Sequence, residues 1–254
     1  MATQSVDRAI AVLRAFTASE PVLGVTELGR KLGLHKSTVH RLLASLERGG
    51  LVDRDPGSRK YRLGIGLTEL GYTVLSHRRL PHVVLPYLRY LADTLEEMSY
   101  LAVQIRDATL TVLQVPSPHM VQSVTRFVRG PLYCTATGKA FLGRMTDAEV
   151  QNVVAKGLVR FTDRTITDPG ALREEVQKVR EQGYATAFEE YAVGENAVAV
   201  PIGAPGHDLR AAIGLVGPAF RFTATKATNS VDIMKSVGSQ ISRDLESLPY
   251  EDLD

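Results

Sequence analysis

Residues 25–52 constrain the fold more than any other stretch, because two short amphipathic helices must meet there across one glycine. In VTELGRKLG, Val25, Leu28 and Leu32 share a helical face, Thr26 is a candidate N-cap, Glu27 suits the positive end of the helix dipole, and Gly33 is a natural stop. In HKSTVHRLLASLERGGLV, Val39, Leu42, Leu43 and Leu46 recur at i, i+3, i+4 and i+7, and Gly49-Gly50 ends the run. The connection at Gly33-Leu34 is too tight to separate the two stripes, so both must bury in one small core. A third helix precedes them: SVDRAIAVLRAF carries Val6, Ala9, Ile10, Leu13 and Phe16 at helical spacing, and EPVLG breaks it.

Once those stripes are buried, the second helix turns a polar face outward. Lys36, Ser37, Thr38, His40 and Arg41 crowd its start, with Ala44, Ser45 and Arg48 one turn on. Free amides and the helix dipole favour phosphate at that end. LVDRDPGSRKYRLG follows, where two short alternating runs flank Asp55-Pro56-Gly57-Ser58. Pro fixes φ and Gly accepts positive φ, so a hairpin bearing Arg54, Arg59, Lys60 and Arg62 is expected. Helix, helix–turn–helix and basic hairpin is the layout of a winged helix, with its second helix in the major groove of double-stranded DNA and its wing along the phosphates. Charge agrees with a polyanionic partner for this part alone. Residues 1–80 hold 13 Lys and Arg against 7 Asp and Glu, whereas residues 81–254 hold 17 against 21, so the net +2 hides a basic N-terminal third.

Composition narrows the rest. The 254 residues are 44% hydrophobic, enough for a sizeable core. No run of eighteen apolar residues supports a membrane span. Asp7 and Arg8 fall where a signal peptide needs its apolar centre, and the single Cys134 rules out an internal disulfide. A cytoplasmic protein is expected.

Past residue 64 the coarse reading alternates. GLTELGYTVLSHRR, with Leu67, Leu70, Val74 and Leu75, and PHVVLPYLRYLADTLEEM read as helices. YLAVQIRD, TLTVLQV and MVQSVTRFV read as strands, then TATGKAFLGRM, DAEVQNVVAKG and DPGALREEVQKVREQG as helices. YATAFEE, NAVAVPIG and LRAAIGLVG are strand-like, and one long helix is expected over about 223–247. Strands first and last with helices between them suggest a mixed α/β sheet domain.

Catalytic and metal signatures are absent. GPLYCTATGKA has seven residues where a phosphate loop allows four, and Ala140 where it needs Ser or Thr. There is no G-x-S-x-G elbow. His77, His82, His119 and His207 share no ligand spacing, so neither metal nor cofactor is expected. Cys134 reads as a small buried residue. In TATGKA, Thr135 is a candidate cap that leaves the amides near Ala136 and Thr137 directed at an anion.

Taken together, SVDRAIAVLRAF, VTELGRKLGLHKSTVHRLLASLERGGLVDRD and KYRLGIGLTELG resemble the N-terminal domain of IclR-type bacterial transcription regulators. GPLYCTATGKAFLG, EEYAVGENAVAVPI and AAIGLVGP resemble their C-terminal domain. The resemblance implies an α+β chain: a winged helix over residues 1–63, a linker helix over 64–80 and a GAF-like α/β effector-binding domain over 81–254, assembled as a dimer or dimer of dimers. It sets Ser37, Thr38, His40 and Arg41 at positions that meet DNA. His40 and Arg41 are the candidates for base edges. Ser37 and Thr38, with Thr26, Lys36 and the wing cations, are the candidates for phosphates. The implied role is a repressor of a catabolic operon, reading a palindromic or pseudo-palindromic operator under control of a small organic effector.

The resemblance also sets the effector pocket over the Thr135–Thr137 turn, with Ala187, Glu195, Ala197, Gly214 and Val216 as its strand positions. Relatives that bind very small acids carry several polar side chains there, so Ala, Gly and Val suggest a roomier, more apolar pocket for an aromatic acid or derivative. Tyr100, Met120, Val124 and Tyr133 are further candidates for its lining. An enzyme with an accessory winged helix, or a winged helix serving protein interaction, are the competing readings.

Overall fold

A computed structural model describes residues 4–17, 19–77, 79–121, 129–203 and 210–246; the side chains of 75–77 and 79 fall outside that description. The chain divides into two compact units, residues 1–77 and 78–254.

The first unit packs α1 (Gln4–Ala15), α2 (Val25–Leu32) and α3 (Lys36–Arg48) around one core. Val12, Leu28, Val39 and Leu43 are fully buried there, joined by Phe16, Leu46 and Val52. Each such side chain contributes about 1.5–3 kcal/mol of burial. Gly33 closes α2 at φ 65, a left-handed turn that favours glycine, and its amide bonds back to Gly29 O. The start of α2 departs from expectation. Gly24, not Thr26, is the N-cap, and the Glu27 carboxylate accepts the Gly24 amide at 2.7 Å. Thr26 therefore lies inside the first turn, exposed.

The wing is β1 (Val52–Arg54) and β2 (Tyr61–Leu63), antiparallel in the register Val52↔Leu63, Asp53↔Arg62 and Arg54↔Tyr61. Its turn falls at Asp55–Ser58 as expected, but Gly57 does not take the positive φ expected of it; the Asp55 carboxylate accepts the Ser58 hydroxyl at 2.8 Å and closes the turn instead. Leu23 bridges to Tyr61, so the segment before α2 docks on the wing. Helix α4 (Gly66–His77) completes the unit.

In the second unit, α5 (Arg79–Leu95) leads into β3 (Met98–Ile105), β4 (Ala108–Val115) and β5 (Arg129–Pro131). Helices α6 (Ala136–Gly143), α7 (Asp147–Ala155) and α8 (Pro169–Gln182) follow. Strands β6 (Ala185–Phe188), β7 (Glu195–Ile202) and β8 (Ala211–Pro218), then α9 (Ala224–Asn229) and α10 (Val231–Glu246), end the unit. The sheet order is β5-β4-β3-β8-β7-β6, and every neighbouring pair is antiparallel, so the sheet is not mixed. The expected final helix is two, parted at Ser230, whose hydroxyl bonds back to Ala227 O at 2.7 Å and competes with the helical ladder. The predicted strand MVQSVTRFV falls mostly on residues 122–128, outside the described residues, as do His207 and the side chains of Leu75 and His77.

The two faces of this sheet differ in kind. Toward α5 and α10 point Leu101, Val198, Val200, Ile213 and Leu215. Toward α6 and α8 point Ala102, Ala187, Ala199 and Ala212. Small side chains let α6 settle close to the sheet and leave space beside its first turn.

Candidate DNA interface and ligand cavity

Helix α3 separates its two tasks by face. Val39, Leu43 and Leu46 are buried, whereas Lys36, Ser37, His40 and Arg41 are exposed and Thr38 is half-buried. The helix starts at His35 with no side-chain cap, and its ladder begins with the Thr38 and Val39 amides on His35 O, so the Lys36 and Ser37 amides precede the first intrahelical bond. The wing cations are of two sorts. Lys60 Nζ donates to Glu27 Oε1 at 2.7 Å, and Arg54 pairs with Glu47 at 3.3 Å while lying over the Tyr61 ring. Arg59 and Arg62 are exposed and make no ion pair among the described residues.

In the second unit a cavity of about 60 Å³, taken as space open to the centre of a water molecule, sits between α6 and the sheet. That is room for a few waters or one small organic molecule. Thr135 caps α6 as predicted: its hydroxyl accepts the Gly138 amide at 3.2 Å and donates to Pro131 O at 2.7 Å. The amides of Ala136 and Thr137 precede the first intrahelical bond, and both residues line the cavity.

Tyr100 forms an inner wall. Burial pushes its hydroxyl well above the usual tyrosine range, and it is hydrogen-bonded to the Thr137 side chain. The hydroxyl end of the ring lies against Gly214, where a Cβ would come within 2.4 Å of Cζ and 2.7 Å of Oη. Only glycine admits the tyrosine. Cys134 also lines the cavity, with its thiol pushed up to about 12, first by burial and then by the nearby Glu190 carboxylate. It is a protonated, unreactive group at neutral pH.

With the geometry in place, two domain profiles account for the chain. The IclR helix-turn-helix domain matches residues 5–56, and the C-terminal domain of the bacterial transcriptional regulator IclR matches residues 72–243. The chain belongs to the IclR family. The glycerol operon regulatory protein of Streptomyces griseus is 32% identical over 95% of this chain and 96% of its own length. The crystal structure of an IclR transcriptional regulator from Alicyclobacillus acidocaldarius superposes with a TM-score of 0.85 at 26% identity, covering 96% of this chain and 99% of that one. An IclR homologue from Microbacterium hydrocarbonoxydans, solved in complex with 4-hydroxybenzoate, gives a TM-score of 0.82 at 26% identity over 96% of this chain and all of that one.

This IclR-family protein is therefore a DNA-binding transcriptional regulator with a C-terminal effector domain, and not an enzyme. Among the described residues no group of three His, Cys, Asp or Glu is placed to hold a metal ion, and no helix is long and apolar enough to cross a membrane.

The effector positions expected from the sequence divide in the structure. Tyr100, Thr135, Ala136, Thr137, Ala187, Glu195, Ala197 and Val216 line the cavity, and Gly214 supports Tyr100 from beneath. Tyr133 does not line it. Its neighbour Cys134 turns inward, so Tyr133 turns away and donates to Val159 O at 2.9 Å. Met120 is 101% exposed and does not line it, and Val124 lies outside the described residues. The lining is also more polar than expected, because Thr109, Thr111, Gln114 and Glu190 contribute to it.

Glu190 had a signal in the sequence. Lys139 sits in an otherwise small and apolar run, so burying it demands a carboxylate. The structure supplies two: Lys139, 1% exposed, donates to Glu190 Oε1 at 2.6 Å and Glu175 Oε1 at 2.8 Å.

Proposed function

We propose that α3 enters the major groove of operator DNA, with His40 and Arg41 at base edges and Lys36, Ser37, Thr38 and the α3 amides at phosphates. Arg59 and Arg62 carry the wing's phosphate contacts, and Thr26, exposed at the start of α2, supplies a further one. The observation that carries this reading is the division of α3, whose buried Val39, Leu43 and Leu46 free the face bearing Lys36, Ser37, His40 and Arg41. The protein acts as a homodimer on a pseudo-palindromic site. Exposed Leu70 and Val74, one turn apart on α4, favour a second copy, since a lone surface helix gains nothing from such an apolar stripe.

The cavity beside α6 takes the effector. An aromatic acid or a derivative is the favoured class, supported by the cavity's size, by small Ala187 and Ala197 in its wall, and by the structural neighbour that holds 4-hydroxybenzoate. Its carboxylate meets the Ala136 and Thr137 amides. Effector binding alters DNA affinity only as far as it prefers one arrangement of the protein over another. The regulated genes form a catabolic operon, repressed until the effector arrives.

DNase footprinting on the promoter adjoining the gene tests this reading. Two protected half-sites about one helical turn apart, or a multiple of it, are expected, with protection lost on adding 4-hydroxybenzoate or benzoate. Protection that responds only to short aliphatic acids overturns the effector class; absence of any specific footprint overturns the DNA reading.

A further inference from the structure

Glu190 is aimed by an unusual piece of backbone. Glu189 before it has φ 56, a left-handed conformation that a residue with a side chain adopts only when its surroundings enforce it. Here they do. Thr162 Oγ1 donates to Glu189 O at 2.6 Å, the Gly194 amide to Glu189 Oε1 at 2.9 Å, and Arg164 pairs with Glu189 Oε2 at 3.2 Å. Thr165 Oγ1 fixes the following carbonyl, Glu190 O, at 2.6 Å. The chain leaves β6 through this clamp, and the Glu190 side chain turns inward to Lys139.

Lys139 and, from the backbone, Phe188 act on that carboxylate. Oε1 accepts from Lys139, whereas Oε2 is buried with no hydrogen-bond partner among the described residues. Lys139 is shared with Glu175, so its single charge is divided between two carboxylates. Glu190 and Glu195 both line the cavity, and no Lys, Arg or His is among its described lining residues. A carboxylate pressed against this wall meets like charge, whereas a hydroxyl group satisfies the orphan oxygen.

We infer that the effector presents a hydroxyl donor to Glu190 Oε2, so that recognition in this cavity is of a hydroxylated molecule. The inference rests on the cavity being the effector site. An acid fits only with its carboxylate at the α6 amides and its hydroxyl at Glu190. A phenol hydroxyl and an alcohol hydroxyl supply the same chemistry.

Calorimetric titration of the full chain with 4-hydroxybenzoate, 4-methoxybenzoate, 4-hydroxybenzyl alcohol and glycerol tests it, using wild type, Glu190→Gln and Thr137→Leu, with thermal unfolding to check that each variant folds. The wild type is expected to bind a hydroxyl-bearing probe at least about tenfold more tightly than 4-methoxybenzoate, as a donor to a charged group requires. Glu190→Gln should shrink that ratio severalfold. Equal binding of hydroxyl and methoxyl forms, a ratio unchanged in Glu190→Gln, or no binding by any probe overturns the inference. Binding that survives undiminished in Thr137→Leu instead overturns the cavity as effector site. Binding of the two alcohols without the benzoates leaves the donor inference standing and removes the aromatic acid.

Discussion

Lys60 on the wing and Glu27 at the start of α2 are joined by a 2.7 Å ion pair spanning 33 residues of sequence. Glu27 accepts the Gly24 amide as well, and these two donors hold its carboxyl below the usual carboxylate range. The wing's orientation is thus tied to the helix that precedes the recognition helix. Lys60 is engaged inside the protein before any phosphate arrives. Arg59→Ala or Arg62→Ala should therefore weaken binding to all sequences alike and reduce the salt slope by about 0.9 per lost phosphate contact. Lys60→Ala should reduce it less. Fluorescence anisotropy over a salt series separates the three.

A different signature is expected from α3. Arg41→Ala should relax preference at one base pair of each half-site, where discrimination falls by about 1–3 kcal/mol. A panel of single-substituted operators reads this out; uniform loss across the panel would assign Arg41 to phosphate.

Gly214→Ala places a methyl group inside the Tyr100 ring, and destabilisation of about 1–3 kcal/mol should follow from the forced repacking. Because the two residues are in contact, Gly214→Ala combined with Tyr100→Ala should cost less than the sum of the single changes. Chemical denaturation of the four proteins completes the cycle.

Lys139→Met leaves the largely buried Glu175 and Glu190 without their cation, and a loss of about 3–5 kcal/mol is expected near neutral pH. The pH dependence has a definite sign. Burial already raises the Glu190 carboxyl against the opposing pull of Lys139. A raised carboxyl favours the folded state below its unfolded value and loses that advantage as pH rises through its folded value. Removing Lys139 raises it further. Melting temperatures of Lys139→Met should thus approach those of the wild type on acidification from pH 7 toward the unfolded carboxyl range of about 4–5.

Cys134, with its thiol near 12, should resist iodoacetamide in the native protein at neutral pH and react fully in denaturant. Mass spectrometry of both samples gives the comparison.

What was legible in the sequence follows a physical division. The helix–turn–helix and its wing rest on local signals: stripe spacing in α3, the left-handed Gly33, the Asp55–Ser58 turn. Each is decided within a dozen residues, and each falls where it was read, although the turn is closed by the Asp55–Ser58 bond and not by a positive φ at Gly57. The misassigned cap is a near miss of the same kind, because Gly24 and Thr26 flank Val25, the first residue of the stripe, and the Glu27 bond to Gly24 chooses between them. The cavity lies at the other extreme. Its strand positions came from resemblance, but the partners of Lys139 are 36 and 51 residues away, and no periodicity reports such a pairing. Tyr133 and Met120, read as candidates on their type, do not line the cavity. Aromatic or thioether character makes a residue eligible for a pocket, but the backbone decides: the chain turns Cys134 inward and Tyr133 away, and leaves Met120 on an exposed bend.

The unequal faces of the second unit's sheet have a consequence for how such a regulator changes over generations. Along β7 and β8, every other residue anchors α10 and the residues between them shape the cavity. Substitutions at Ala187 or Ala197 would reshape the cavity and leave the Val, Ile and Leu layer intact. The same strands can therefore drift toward new chemical signals while the scaffold is inherited unaltered, so a duplicated gene can acquire a new inducer before it acquires a new fold.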